Sequence, residues 1–123
     1  HEEGHNMGLT THVLDTMHGK PAAGMQVALY GMNGNDATLI KQLRLNEDGR
    51  SAEGPLIDTN NLQRGAYRLV FDVAAYFAAQ GVALPEPNFL GQVALDFGVA
   101  EPHQHYHVPL LVSPWSYSTY RGS

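Results

Sequence analysis

From residue 9 onward the chain is written in short stretches where apolar and polar positions alternate, separated by clusters of Gly, Pro, Asn and Asp. Alternation with period 2 gives each face of a strand its own set of side chains. Leu9-Thr-Thr-His-Val-Leu-Asp15 opens the series, with Leu9, Thr11 and Val13 on one face and Thr10, His12 and Leu14 on the other. His18-Gly-Lys-Pro21 and Gly24 break it, and Met25 to Tyr30 forms the next strand. Gly31 to Asp36 is a turn cluster. Ala37 to Leu45 alternates again, with Leu39 and Leu43 on one face and Gln42 and Arg44 on the other. Asn46-Glu-Asp-Gly49 is a second turn, and Arg50 to Leu56 is a loop or short strand. Ala66 to Asp72 is a strand. Val73 to Gln80 is Ala-rich and stops at Gly81, which predicts one short helix with a Gly cap. Gln92 to Phe97, Tyr106 to Val112 and Trp115 to Tyr120 complete seven or eight strands. The pattern is that of an all-β domain, a sandwich rather than a barrel.

Composition narrows the picture. A chain of 123 residues suits one domain, and burying about two-thirds of its unfolded surface needs no metal or disulfide. There are no cysteines, which excludes disulfides, thiolate metal sites and thiol catalysis. No apolar run approaches the roughly 20 residues of a membrane span. The net charge of −5 argues against nucleic acid as a partner, since phosphates call for a basic surface. Residues 1–7 are polar and read as a flexible extension: a native one, a cloning remnant before Met7, or a mature end left by a cleaved leader. The domain proper is 8–123. From Pro102 to Tyr120 there is no formal charge, yet three of the seven histidines fall there.

Those histidines carry the first candidate chemistry. In His103-Gln-His-Tyr-His107, strand alternation sets His103, His105 and His107 on one side if the strand reaches that far back. Tyr106, Val108, Leu110 and Val112 take the core side, so the histidines face solvent or another subunit. Three imidazoles on one face suit a polar catalytic site or Zn²⁺ or Cu²⁺ ligation. Pro102 and Pro109 argue for a short or edge strand. His12 lies on the Thr10–Leu14 face of the first strand, where a lone histidine is more often structural than catalytic. Arg50 follows a turn, where a guanidinium can grip an anion. His1-Glu-Glu-Gly-His5 has the letters of a zinc-protease motif but no helical flank. There is no P-loop, no G-x-S-x-G elbow and no G-x-G-x-x-G fingerprint.

Three blocks together resemble the transthyretin-related 5-hydroxyisourate hydrolases: Leu9-Thr-Thr-His-Val-Leu-Asp15 with Gly19-Lys-Pro-Ala22; Asp48-Gly-Arg50; and His105-Tyr-His-Val-Pro-Leu-Leu111 leading to Tyr117-Ser-Thr-Tyr-Arg-Gly-Ser123. The Tyr-Arg-Gly-Ser tetrapeptide is the family's hallmark. The resemblance implies a transthyretin-like sandwich of two four-stranded sheets with one short helix. It also implies a homotetramer, a dimer of dimers with active sites at the dimer–dimer interface. The implied reaction is hydrolysis of 5-hydroxyisourate to 2-oxo-4-hydroxy-4-carboxy-5-ureidoimidazoline in urate degradation, with no metal or cofactor. Catalysis would fall to His12, Arg50, His107 and Tyr120. Substrate contacts would come from Arg50, Arg121, Gly122, Ser123 and His105. Either His12 or His107 suits the general base. The expected compartment is the cytoplasm, or the periplasm if a leader preceded Met7. The rival readings are a transthyretin-like carrier of thyroid-hormone-type ligands and a metal-binding protein built on His1, His5, His103, His105 and His107.

Overall fold

The computed structural model describes residues 8–122. The extension 1–7, with His1 and His5, and Ser123 lie outside the described residues. Eight strands and one helix follow in the order β1 (Leu9–Asp15), β2 (Lys20–Pro21), β3 (Gln26–Asn33), β4 (Asp36–Arg44), β5 (Gly65–Asp72), α1 (Val73–Ala79), β6 (Gln92–Val99), β7 (Tyr106–Val112) and β8 (Tyr117–Thr119). They form two four-stranded sheets, β2-β1-β7-β8 and β4-β3-β5-β6. The expected sandwich with one short helix is therefore the fold.

The core lies between the sheets. Leu9 and Val13 of β1 and Leu110 and Val112 of β7 meet Val27 and Leu29 of β3 and Leu69 and Phe71 of β5, all with almost no exposure. Each such side chain contributes roughly 1.5–3 kcal/mol through removal from water. Burial alternates strictly along β1, so Thr10, His12 and Leu14 sit on the outer face, as the period-2 pattern requires. β7 follows the same rule at Tyr106, His107 and Val108.

Several boundaries differ from the sequence reading. Lys20–Pro21 pairs with β1 as a short edge strand where a break was expected. β3 runs on through Gly31 to Asn33, so the hairpin to β4 is tighter than the Gly31–Asp36 cluster suggested. A register shift lets Leu29 pair Lys41 and Tyr30 pair Leu39, skipping Ile40. This bulge reverses the alternation partway along β4, leaving Leu39 exposed while Leu43 packs against the core. Pro102 and Pro109 argue for a short or edge strand, yet β7 runs for seven residues and is internal, between β1 and β8. The edge argument fails because β8 yields at that point. The register Leu110↔Thr119 and His107↔Gly122 sets Pro109 opposite Tyr120, and regular pairing lapses there. The missing N–H is thus not opposed by a waiting partner, and the Thr119 hydroxyl takes the Pro109 carbonyl at 2.7 Å.

The helix is tied to the first sheet by a polar cluster. Asp15 is fully buried and accepts hydrogen bonds from the Tyr76 hydroxyl at 2.7 Å and the His18 amide at 2.9 Å, with His18 Nδ1 at 2.6 Å. Burial alone would raise the Asp15 pKa, but these donors and the His18 charge outweigh it and hold it low. Tyr76 is pushed the other way, by burial and by the carboxylate beside it.

Candidate active site

The site forms on the outer face of the β2-β1-β7-β8 sheet. Parallel pairing of β1 and β7 sets Thr10 beside His107 and His12 beside Pro109. The remaining wall is the segment from Gly49 to Ile57, pinned to β1 at both ends. Val13 N donates to the Gly49 carbonyl at 3.0 Å, and Leu9 N donates to the Ile57 carbonyl at 2.9 Å. Between these anchors the segment arches past the Thr10–His12 face. Asn46 shapes its start: its side-chain oxygen accepts the amides of Asp48 at 2.9 Å and Arg50 at 3.1 Å. Gly49 has φ +73, and a Cβ there would stand 2.6 Å from the Val13 carbonyl. Only glycine lets the turn approach β1 this closely. That is the physical content of Asn-x-Asp-Gly-Arg here: the turn delivers Arg50 to the histidines.

The result is a cleft of about 340 Å³ lined by Thr10, Thr11, Arg50, Ser51, Gly54, His105 and His107. Thr10 Oγ1 lies 2.8 Å from His107 Nδ1 and 3.0 Å from His105 Nε2. All three imidazoles are held below their ordinary pKa. Burial depresses His107 most, followed by the charges of Arg50, His105 and His12. His12 is lowered by burial and then by Arg50, with the Asp48 backbone and carboxylate pulling the other way. His105 is lowered by burial and by Arg121. At neutral pH each ring is uncharged and keeps one bare nitrogen, the state a general base requires. Beside them Arg50 supplies a fixed positive charge and a planar array of donors. Such a set can accept a proton from water, return one to a leaving group and stabilise an oxyanion.

The structure thus brings His12, Arg50, His105 and His107 together. It keeps other candidates apart. Arg121 places its guanidinium 4.1 Å over the Tyr106 ring and donates to the His105 carbonyl at 3.1 Å and Gln104 Oε1 at 3.2 Å. Arg121 and Tyr120 line a separate cleft between β6 and β8. Gly122 donates its N–H to the His107 carbonyl. His103 does not join the other histidines: β7 starts only at Tyr106, and His103 sits in the preceding turn, 74% exposed and 3.6 Å from Glu101. Among the described residues, no three His, Asp or Glu side chains converge to hold a metal ion. Thr10 was not singled out from the sequence as a functional residue. The available signal was its place on the His12 face of β1.

Comparison with known proteins fits this arrangement. A profile of the HIUase/Transthyretin family matches residues 9–122. The 5-hydroxyisourate hydrolase of Pseudomonas aeruginosa is 51% identical over 115 residues, covering 94% of this chain and 90% of that protein. The solved 5-hydroxyisourate hydrolase of Klebsiella pneumoniae superposes with a TM-score of 0.78 at 32% identity, over 95% of this chain and 99% of the other. Sea bream transthyretin, solved in complex with thyroxine, gives a TM-score of 0.81 at 28% identity, over 94% of each chain.

Proposed function

The chain belongs to the HIUase/Transthyretin family, and from that footing we propose that it hydrolyses 5-hydroxyisourate to 2-oxo-4-hydroxy-4-carboxy-5-ureidoimidazoline. The observation that carries the reading is the cleft in which Arg50 faces a set of neutral imidazoles on an exposed sheet face. Water adds through its oxygen to a ring carbonyl while a histidine takes its proton. The tetrahedral oxyanion collapses, the ring C–N bond breaks, and the proton passes to the departing nitrogen. His107 and His12 share these proton transfers. Arg50 holds the substrate carbonyl and the oxyanion that replaces it. His105 completes the substrate contacts of this cleft; Tyr120 as a catalytic group and Arg121, Gly122 and Ser123 as substrate contacts are assigned to the assembled oligomer, since within one chain Tyr120 and Arg121 line a separate cleft. The step needs no metal, since a positioned imidazole supplies the base.

The site as formed by one chain is an open cleft, and we assign its closure to neighbouring copies in a dimer of dimers. Two exposed aromatics support this: Phe89 at 65% and Trp115 at 59%, with ring centroids 5.7 Å apart, near the turn between β7 and β8. Tyr117 of the last strand and Tyr120 just after it are exposed as well. Such a cluster of rings suits an interface better than water. Sedimentation should give a tetramer. No helix of the described residues is long and apolar enough to cross a membrane; the compartment we propose is the cytoplasm, which fractionation of the native host checks against the periplasm.

The test is direct. 5-Hydroxyisourate is generated in a cuvette from urate and urate oxidase, and its absorbance decay is followed with and without the protein. Acceleration supports the hydrolase. No acceleration by a folded tetramer sinks it and shifts the reading to a carrier, which a binding screen with iodinated phenols would then examine.

A further inference from the structure

A single hydroxyl touching two imidazoles constrains both. Thr10 Oγ1 has one proton to give and lone pairs to accept with. It contacts His107 through Nδ1 at 2.8 Å and His105 through Nε2 at 3.0 Å, and among the described residues that oxygen has no other hydrogen-bond partner. Both rings are neutral at pH 7, so each carries one N–H. The arrangement that uses every group has Thr10 accepting from one ring and donating to the other. Two such states exist. In one, His107 donates Nδ1–H to Thr10, Thr10 donates to His105 Nε2, and His107 Nε2 is bare. In the other every hydrogen bond is reversed, and His107 carries its proton on Nε2.

We infer that Thr10 is a positioning residue that holds His107 in the Nδ1–H form and links it to His105 as a two-step proton relay. The inference rests on the proposed hydrolase reading and adds the role of a residue that reading does not use. His107 Nε2 accepts a proton from the attacking water. The Nδ1 proton of His107 passes to Thr10 Oγ1, and the Thr10 hydroxyl proton passes to His105 Nε2. His107 is again neutral and now carries Nε2–H, ready to protonate the departing nitrogen; His105 holds the extra positive charge. When His107 gives up Nε2–H, the relay runs backward and both rings return to their starting forms. Arg50 stands beside His107 and Arg121 beside His105, so a lasting charge is opposed on either ring, and the relay shares the transient charge between them. Packing supports the link: Thr10 is held near the start of the paired strand β1, and His107 sits directly opposite it in the β1–β7 register.

Three proteins test it: the wild type, Thr10→Val, which keeps the shape without the hydroxyl, and Thr10→Ser, which restores it. Thr10→Val should lower kcat about tenfold to a hundredfold, a part of what a positioned base contributes, with KM little changed. Its acidic limb should move to lower pH, because Thr10 no longer accepts from His107 and so no longer favours the imidazolium. Thr10→Ser should recover most of kcat and the wild-type limb. A folded Thr10→Val protein with wild-type kcat and pH profile overturns the inference, as does a loss that serine leaves unrepaired. Nitrogen-15 NMR of histidine-labelled wild type needs no variant to fold: a bare Nε2 with Nδ1–H on His107 is expected, and Nε2–H on His107 overturns it. Wild type inert toward 5-hydroxyisourate would instead overturn the proposed function, and the NMR would still decide the tautomer.

Discussion

Gly122 presses against His107: its N–H donates to the His107 carbonyl at 2.7 Å, and a Cβ on Gly122 would stand 2.8 Å from His107 Cδ2. The backbone of the terminal segment therefore serves as a wall for the imidazole. Gly122→Ala should turn the His107 ring away from Thr10. The expected outcome is a fall in kcat of about tenfold or more, since misplacing a base by a fraction of an ångström is costly. Thermal stability should hardly change, because the segment pairs only at the sheet edge. Steady-state kinetics beside a melting curve checks both halves.

His107→Asn should reduce kcat on the order of 10²–10⁴-fold in a protein that stays folded and keeps its assembly. His12→Asn made in parallel tells which imidazole is the base. The base variant loses its acidic limb, whereas the other keeps it and loses only rate. Absorbance decay of enzymatically generated 5-hydroxyisourate across pH 5–9 is the measurement.

Arg50→Gln should cost about 10²–10³-fold in kcat, the usual scale for removing a donor to an oxyanion. It should also move the acidic limb of activity. Arg50 helps hold His12 and His107 low. The neutral base is the active form, so the wild-type limb lies below the ordinary histidine value and removal of Arg50 shifts it to higher pH. A limb that stays in place or moves lower would contradict the electrostatic role.

The Asp15 cluster sets an acid limit on folding. Its carboxyl pKa is lower in the folded state than in the unfolded chain. That stabilisation is present in full above the unfolded value of about 3.9 and is lost as pH falls through the folded value. Tyr76→Phe removes one donor to a buried carboxylate and should cost about 1.5–3 kcal/mol, read as a drop of several degrees in Tm at pH 7. Asp15→Asn should flatten the dependence of Tm on pH below the unfolded value of about 3.9.

Much of the site could be read before any coordinates. Alternation alone set His107 off the core face, because a strand side chain has only two directions and apolar burial fixes one of them; for His12 it separated two faces, and packing decided which of them was buried. The Asn46-Glu-Asp-Gly49 turn was equally legible, since Asn and Gly at those positions have few other conformations to serve. Where the sequence misled, a nonlocal contact was the reason. The bulge at Ile40 reverses the β4 alternation, and only pairing with β3 reveals it. Pro109 looked like an edge residue, but β8 drops out of regular pairing opposite it. His103 shared the spacing of its neighbours, yet the strand begins three residues later.

By itself, then, the sequence determined the strand periods, the outward face of His107, and the turn that carries Arg50. These are local consequences of side-chain alternation and of glycine and asparagine conformation. Tertiary structure alone decided which outward residues meet. Parallel pairing of β1 with β7 joins positions nearly a hundred residues apart, giving Thr10 its two imidazoles. It also sent Arg121 to the Tyr106 ring and away from the histidine cleft. No local pattern encodes such meetings, because they depend on sheet order and register, which the packed core selects as a whole.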